Sequence, residues 1–416
     1  MNFKRFIYFY ITFLNLSLFT ETLQNSTYIY INTLINIFCG AYLFILVLNK
    51  IRYLDKYLSY SCIIASAQLL FPATINSLFL GNINYIIDSF KLITPLFILI
   101  VSITNLKKIE DIRFIYKILK INGIIAVLLL TLFSLYKYGK SAYNLQIIYI
   151  GLAYHITPIA LFLSAILIVI LLNDRSKYRK YYVVYILISL FLLAKRSTLI
   201  TTSSLIVYYF YLCKNKFYLV KNLIPKLILF LFICLTIITI IPKDFTQISD
   251  YINNLIRFND VEKIMRYNSL DYLGSGRLLI FKTYIANYFS MPVHDIIFGR
   301  LITPLEVQYS DTFWANGITV SPHNDFIQIL FRSGILGLIN YIFLLIRIFN
   351  KIKDIKHNGL AYESKMILLT GQYSYWFYIL HIFIGVITNV AFMVITSLLI
   401  GSAISHTQKI RLDLDQ

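Results

Sequence analysis

Residues 147–172 read IIYIGLAYHITPIALFLSAILIVILL and contain no charged side chain. About 20 mostly apolar residues are enough to cross the hydrocarbon core of a bilayer as an α-helix, and similar stretches recur along almost the whole chain. The chain is 58% hydrophobic and 14% charged, with a mean hydropathy of +0.72, whereas roughly 25% of the residues of an average soluble domain are charged. So few polar side chains cannot cover a globular surface in water. The sequence therefore predicts an all-α, polytopic membrane protein.

The apolar stretches predict about twelve membrane-spanning helices, each with ends accurate to a few residues. They are residues 6–20, 28–48, 58–80, 84–104, 120–136, 147–172, 181–194, 198–213, 226–242, 326–349, 366–384 and 387–404. The first nine occupy residues 1–242, and the last three, with a short tail, occupy residues 326–416. Residues 243–325 form one large hydrophilic loop between these two parts.

The basic residues alternate from loop to loop. Lysines and arginines gather near the start of the chain and in every second loop, as in residues 107–120 and 175–180, while the short loops between them carry few. Cytoplasmic loops of membrane proteins are enriched in basic residues. The pattern predicts that both termini are cytoplasmic and that the large loop lies outside. The basic residues of the cytoplasmic loops then account for the net charge of +19. The charge therefore does not indicate a nucleic-acid partner, and we expect none.

The large loop has the composition of an ordered segment, because aromatic and aliphatic residues are interleaved through it. Gly274-Ser275-Gly276 is a turn signal, and an amphipathic helix is predicted after it from Arg277 to Phe289. Its apolar residues recur near a helical spacing: Leu278, Phe281, Ile285 and Phe289. The loop is expected to be either a packed external cap or a lid and wall over a site at membrane level.

Residues 321–338, SPHNDFIQILFRSGILGL, lead from this loop into the tenth predicted span. Asn324 or Asp325 can cap the N-terminus of that helix. Two glycines further on leave a smooth face that another helix can approach closely: Gly334 and Gly337. His323 then lies at the external membrane boundary, and histidine moves protons well near neutral pH. By position alone, His323 can equally be an ordinary interfacial polar residue.

The pattern His-Asn-x-x-x-Gln-x-Leu in residues 323–330, followed by Gly-x-x-Gly-Leu in residues 334–338, resembles the signature of the bacterial O-antigen ligase and O-antigen polymerase superfamily. Its members are multi-span glycosyltransferases that act on polyprenyl-diphosphate-linked sugars. The architecture is similar too, because a large external loop directly precedes the His-Asn helix. Two arginines also match: Arg196, in the turn Lys195-Arg196-Ser197 between the seventh and eighth spans, and Arg277 at the start of the loop helix.

The resemblance implies catalytic roles for His323, Arg277 and Arg196. The donor leaves as a diphosphate, and the arginine guanidinium matches phosphate oxygens with a planar fork of donors that stays charged. His323 would take the proton of the attacking sugar hydroxyl. Each arginine can also be explained without a catalytic role. Arg196 would then be a charge at the membrane interface, and Arg277 a solvated charge in the loop.

Substrate binding is assigned to four further residues: Asn324, Arg332, Arg300 and Lys195. Two positions depart from the family pattern. Arg332 stands where members often carry an acidic residue, and the usual glycine-rich turn is reduced to Phe298-Gly299-Arg300. Both departures suit the more divergent polymerases and favour a polymerase over a ligase.

We therefore expect an enzyme that joins polyprenyl-diphosphate-linked oligosaccharide repeat units in lipopolysaccharide O-antigen biosynthesis, at the periplasmic face of the bacterial inner membrane. The main alternative is an O-antigen ligase, which transfers the lipid-linked glycan to lipid A-core. A lipid-linked oligosaccharide flippase or transporter is less favoured, since a large ordered loop does not suit it. A glycosyltransferase of another multi-span family is also less favoured. Such families usually carry acidic catalytic residues in a large loop after the first span, and the first external loop of this chain is too short to hold them.

Neither a cofactor nor a metal is expected. The large loop has no Asp-x-Asp pair, and Asp413-Leu414-Asp415, which has that spacing, belongs to the predicted cytoplasmic tail. The enzyme is predicted to be metal-independent and inverting. The expected partners are the lipid-linked substrate, the bilayer, and a chain-length regulator or other O-antigen assembly proteins.

Overall fold

The structure is a computed structural model that describes residues 3–20, 26–80, 84–138, 156–192, 202–203, 277–299, 307–308, 319–320, 324–353, 360–382 and 390–414. Before the large loop, the described residues contain the helices α1 (Phe3–Thr20), α2 (Ser26–Lys50), α3 (Lys56–Leu80), α4 (Asn84–Asn105), α5 (Ile109–Tyr138), α6 (Ile156–Asn173) and α7 (Arg179–Leu192). A 3₁₀ turn, Ile51–Tyr53, joins α2 to α3. The described part of the loop holds α8 (Arg277–Phe289) and α9 (Val293–Phe298). After it come α10 (Asp325–Lys353), α11 (Tyr362–Ile382) and α12 (Val390–Leu414).

The predicted all-α architecture is confirmed for the described residues, apart from one pair of strands in the loop. Strands β1 (Val307–Gln308) and β2 (Thr319–Val320) pair antiparallel, with Val307 opposite Val320 and Gln308 opposite Thr319. Their short ladder brings together two parts of the loop that are separated along the chain.

A described helix overlaps each predicted span except 198–213 and 226–242, which lie outside the described residues apart from 202–203. Residues 147–155 of the predicted span 147–172 also lie outside them. Among the described residues, four segments are long and apolar enough to cross a membrane: Leu34–Tyr53, Ile109–Leu132, Asp325–Lys353 and Val390–Arg411. The protein is thus a helical membrane protein. The total of about twelve spans and the division into three parts stay predictions.

Helix α12 lies at the centre of the bundle and packs against α4, α11 and α6. Its inward residues are fully buried, among them Ile395, Leu398 and Leu399. Small residues allow its closest contact, because a Cβ atom on Gly371 of α11 would lie only 2.1 Å from the Cβ of Ala403 in α12. Close approach through small residues is typical of helices that pack in a bilayer, where dispersion contacts replace the hydrophobic effect.

Interhelical ion pairs gather at one end of the bundle. The Lys120 and Asp174 side chains are 2.7 Å apart, and those of Lys351 and Asp55 are 3.0 Å apart. Two closer pairs are Lys4 with Asp111 and Arg113 with Glu363. All eight residues belong to segments that the charge pattern assigns to the cytoplasm. The structure therefore places these segments on a common side, and the compartment they face stays a prediction.

The predicted loop helix is present as α8, with the predicted bounds, but it buries a different face. Ile285 and Phe289 are 44% and 67% exposed, whereas Tyr284 and Tyr288 are buried. The reason is tertiary, because both tyrosine rings pack against Phe331 of α10. The predicted face was therefore wrong at Ile285 and Phe289.

Candidate functional site

Several of the predicted site residues lie outside the described residues: His323, Arg196, Lys195 and Arg300. Arg277 is the first residue of α8, but its side chain is not among those described. The roles proposed for these five residues therefore stay predictions. Asn324 and Arg332 are described, and both belong to the segment that begins α10.

Asn324 caps α10, which decides between the two capping residues that the sequence allowed. Its Oδ1 atom accepts a hydrogen bond of 3.1 Å from the Ile327 N–H, and its carbonyl oxygen accepts one of 3.0 Å from the Gln328 N–H. Such a cap satisfies a backbone donor that the first turn otherwise leaves unpaired. Asn324 is 5% exposed, and its Oδ1 is committed to the cap. Its amide N–H₂ group takes no part in the cap and can donate to a substrate.

Beneath this cap lies a group of buried polar side chains for which the sequence predicted no role in the site. Asp325, at the start of α10, is fully buried, and the phenols of Tyr341 and Tyr378 lie further along α10 and α11. The two phenols share a hydrogen bond between α10 and α11. Gln328 is also buried, and its side-chain oxygen makes no hydrogen bond to any described residue. Ionisable and polar side chains inside a membrane protein are costly and mark candidate functional positions.

Arg332 follows Asn324 by eight residues, which is roughly 12 Å along a regular helix. It is half-buried, so its charge is held below the helix end rather than in open solvent. Its predicted contact with substrate stays a prediction.

Two glycines join the loop to α10. Gly334 interrupts α10 with φ 63° and ψ −168°, and Gly299, which ends α9, has φ 82°. A Cβ atom on Gly334 would lie 2.2 Å from the Ile297 carbonyl oxygen, and one on Gly299 would lie 2.4 Å from the Arg332 carbonyl. Backbone therefore packs directly on backbone, in conformations that other residues rarely adopt. We call this the glycine contact.

An aromatic cluster surrounds the glycine contact. The Phe331 ring lies 5.5 Å from the Tyr284 ring, edge-on, and 5.4 Å from the Tyr288 ring. The Tyr288 hydroxyl donates a hydrogen bond to the Ile296 carbonyl, which ties α8 to α9. Burial raises the pKa of the Tyr288 phenol, so it remains a neutral donor. Ile327 belongs to the same buried cluster, and α8, α9 and the first half of α10 therefore form one packed unit.

The sequence predicted that another helix can approach closely at Gly334. The structure confirms this, and the helix that approaches is α9 of the loop. At Gly337 a Cβ atom would instead meet Ser333 of its own helix, with Gln68 of α3 at 3.9 Å. The sequence singled out Gly334 as a site of close approach. It did not reveal Gly299 as the partner, because the two residues are far apart along the chain.

Across the described ranges, no group of three or more His, Cys, Asp or Glu side chains could hold a metal ion. His381 of α11 is fully buried between the Phe377 and Phe392 rings, and its Nδ1 atom lies 2.7 Å from the Phe377 carbonyl oxygen. It is a packing residue. Metal independence stays a prediction.

A family model described as O-antigen ligase matches residues 181–342. The match contains the whole His-Asn motif, α8, α9, and the positions of Arg196 and Arg277. It confirms the resemblance seen in the sequence. No curated protein matches the chain.

Proposed function

We propose that the chain, whose residues 181–342 match the O-antigen ligase family model, acts as an O-antigen polymerase. It would join polyprenyl-diphosphate-linked oligosaccharide repeat units at the periplasmic face of the inner membrane. The observation that carries this proposal is the position of the matched motif. Asn324 caps the first segment of α10, which runs to the interruption at Gly334, and Asp325–Lys353 as a whole is long and apolar enough to cross a membrane. In the sequence, His323 therefore directly precedes a candidate span.

The proposed reaction is a single displacement that inverts the anomeric carbon. The acceptor hydroxyl oxygen attacks that carbon while the bond to the diphosphate oxygen breaks, and the diphosphate leaves with the bonding electrons. Arg196 and Arg277 would bind the diphosphate and stabilise its growing negative charge, which fixed cations do best where water is scarce. His323 would accept the proton of the acceptor hydroxyl. No metal takes part in this scheme.

Four residues would bind the sugars and the diphosphate: Asn324, Arg332, Arg300 and Lys195. The Asn324 amide N–H₂ group remains available to a sugar oxygen after the cap is made. Arg332 is held by the packed unit of α8, α9 and α10, because its carbonyl lies against Gly299.

The positions at which this chain departs from the family pattern favour a polymerase over a ligase. The two departures are Arg332 and the shortened turn at Gly299, and the structure brings them into contact. A ligase remains the second candidate, because the same chemistry serves both acceptors.

Purified protein in lipid vesicles is expected to lengthen a polyprenyl-diphosphate-linked repeat unit when no other glycan is supplied, and to continue in excess EDTA. The products can be separated by length on gels and identified by mass. Transfer to lipid A-core without lengthening would identify a ligase. Movement of the substrate across the vesicle membrane without a new glycosidic bond would identify a transporter, and activity restored only by magnesium or manganese would refute metal independence.

Arg277→Lys and Arg196→Lys are each expected to lose most of the transferase activity at normal protein levels, although the charge is kept. An ammonium group cannot make the two parallel contacts of a guanidinium to a diphosphate. The matched control is Arg347→Lys, since Arg347 stacks on the Tyr57 ring at 4.7 Å, far down α10 from Asn324. Normal glycan ladders from both loop variants would show that these arginines are ordinary surface charges.

A further inference from the structure

A cavity of about 490 Å³ opens between α5, α6 and α11, at the end of the bundle that carries the ion pairs. Six charged side chains line its mouth: Arg113, Lys117, Lys120, Asp174, Arg175 and Glu363. It is remote from Asn324, because α11 begins near the far end of α10. The cavity therefore has no part in the reaction proposed above.

Both carboxylates at the mouth are already engaged by cations. The Lys120 Nζ atom lies 2.7 Å from an Asp174 oxygen, and Arg113 makes two hydrogen bonds to Glu363. The hydrogen bond from Arg113 lowers the pKa of Glu363. Burial works to raise the pKa of Asp174, but hydrogen bonds from Lys120 and Ser176 lower it overall. Both groups are therefore ionised at neutral pH and neutralise one cation each.

Two positive side chains remain beyond this pairing. Lys117 is exposed at the mouth, and the Arg175 guanidinium lies 4.8 Å from the Tyr362 ring centre. A cation held over an aromatic face keeps its N–H groups directed around the ring edge and its charge in place. The mouth thus carries a surplus of positive charge and a set of guanidinium and ammonium donors suited to phosphate oxygens.

Below the mouth the lining changes to apolar side chains, which include Val169, Ile170, Met366 and Ile367. The change occurs where α6 ends, at Asn173, and where α11 begins, at Tyr362. Such helix ends lie at the level of lipid headgroups when the apolar parts of the helices cross a bilayer. A molecule with an anionic head and an apolar tail matches this arrangement.

We propose that this cavity binds the phosphate headgroup of an anionic phospholipid, with the headgroup held by Lys117, Arg175 and the two paired cations and the acyl chains along the apolar wall. Basic pockets between membrane helices recognise phosphate headgroups in this way. A soluble phosphate would make the same polar contacts but would leave the apolar wall empty. The proposal does not depend on the proposed glycosyltransferase activity.

The test uses the full-length protein in nanodiscs and native mass spectrometry, with phosphatidylglycerol and phosphatidylcholine in competition. The wild-type protein is expected to retain phosphatidylglycerol selectively. The double variant Lys117→Gln/Arg175→Gln is expected to weaken that binding about 30-fold, because each basic residue near an anionic lipid contributes roughly 1 kcal/mol. Both side chains are exposed, so the variant should insert and fold.

The matched control is Lys177→Gln/Lys180→Gln, which makes the same change of charge beside the cavity at two residues that do not line it. This control should retain the lipid. Equal loss in the control would reduce the effect to general surface charge and overturn the proposal. So would a wild-type protein that shows no preference for phosphatidylglycerol, or one that binds inorganic phosphate as tightly as the lipid.

Discussion

His323→Ala is expected to lower the rate of glycan transfer roughly 10²–10⁴-fold, as is usual when a general base is lost. The variant should still insert and fold, because Asn324 rather than His323 provides the cap of α10. The matched control is His294→Ala. His294 lies in α9 of the same loop and its side chain is 77% exposed, so its loss should leave transfer unchanged.

The lipopolysaccharide of the His323→Ala strain then identifies the acceptor. If the chain is a polymerase, a separate ligase still works, and lipid A-core should carry a single repeat unit. If the chain is a ligase, no repeat unit reaches the core and lipid-linked polymer accumulates. We expect the single-unit band. Unchanged long chains would remove His323 from the mechanism.

Asn324→Asp distinguishes the capping of α10 by Asn324 from its proposed role in binding the substrate. A carboxylate keeps the oxygen that accepts the Ile327 N–H, and a negative charge suits a helix N-terminus, so the cap should survive. The substitution removes the amide N–H₂ donors that the proposal gives to the substrate. The structure shows the capping role of Asn324, and this substitution tests the proposed recognition role separately.

The sequence predicted the helices well where the physical cause is local. Long apolar runs predict helices because every backbone group must be paired inside a bilayer, and helices occupy the described span positions. The bounds of α8 also followed from local signals, namely the turn at residues 274–276 and the helical spacing after it. The sequence predicted that either Asn324 or Asp325 caps α10, and the structure shows that Asn324 does so.

The sequence did not predict features that depend on contacts between residues far apart in the chain. It chose the wrong face of α8 because tyrosine is amphipathic, and only Phe331 of α10 decides that Tyr284 and Tyr288 turn inward. It did not find the hydrogen-bonded phenols of Tyr341 and Tyr378, which join two helices. Ion pairs such as Lys351 with Asp55 link residues that are 296 positions apart in the chain, and no local pattern shows such partners.

The glycine contact leads to the second large effect. Gly334→Ala is expected to abolish most of the activity and to lower the thermal stability of the purified protein. The backbone conformation at Gly334 is one that only glycine adopts readily, and another residue there costs about 1–3 kcal/mol. In addition, the new Cβ would lie 2.2 Å from the Ile297 carbonyl oxygen, so α9 must move away from α10. Thermal unfolding and glycan ladders measure the two effects.

Gly299→Ala should reproduce this result from the other side of the contact, because its Cβ would press on the Arg332 carbonyl. Once α9 has moved away, the second substitution meets less resistance. The double variant is therefore expected to cost less stability than the two single variants together, since residues in contact do not act independently. Gly40→Ala is the control, because its nearest neighbour is the Phe90 ring at 3.3 Å and its helix is regular. Strictly additive losses would show that each glycine serves only its own backbone and that α9 is not held by the contact.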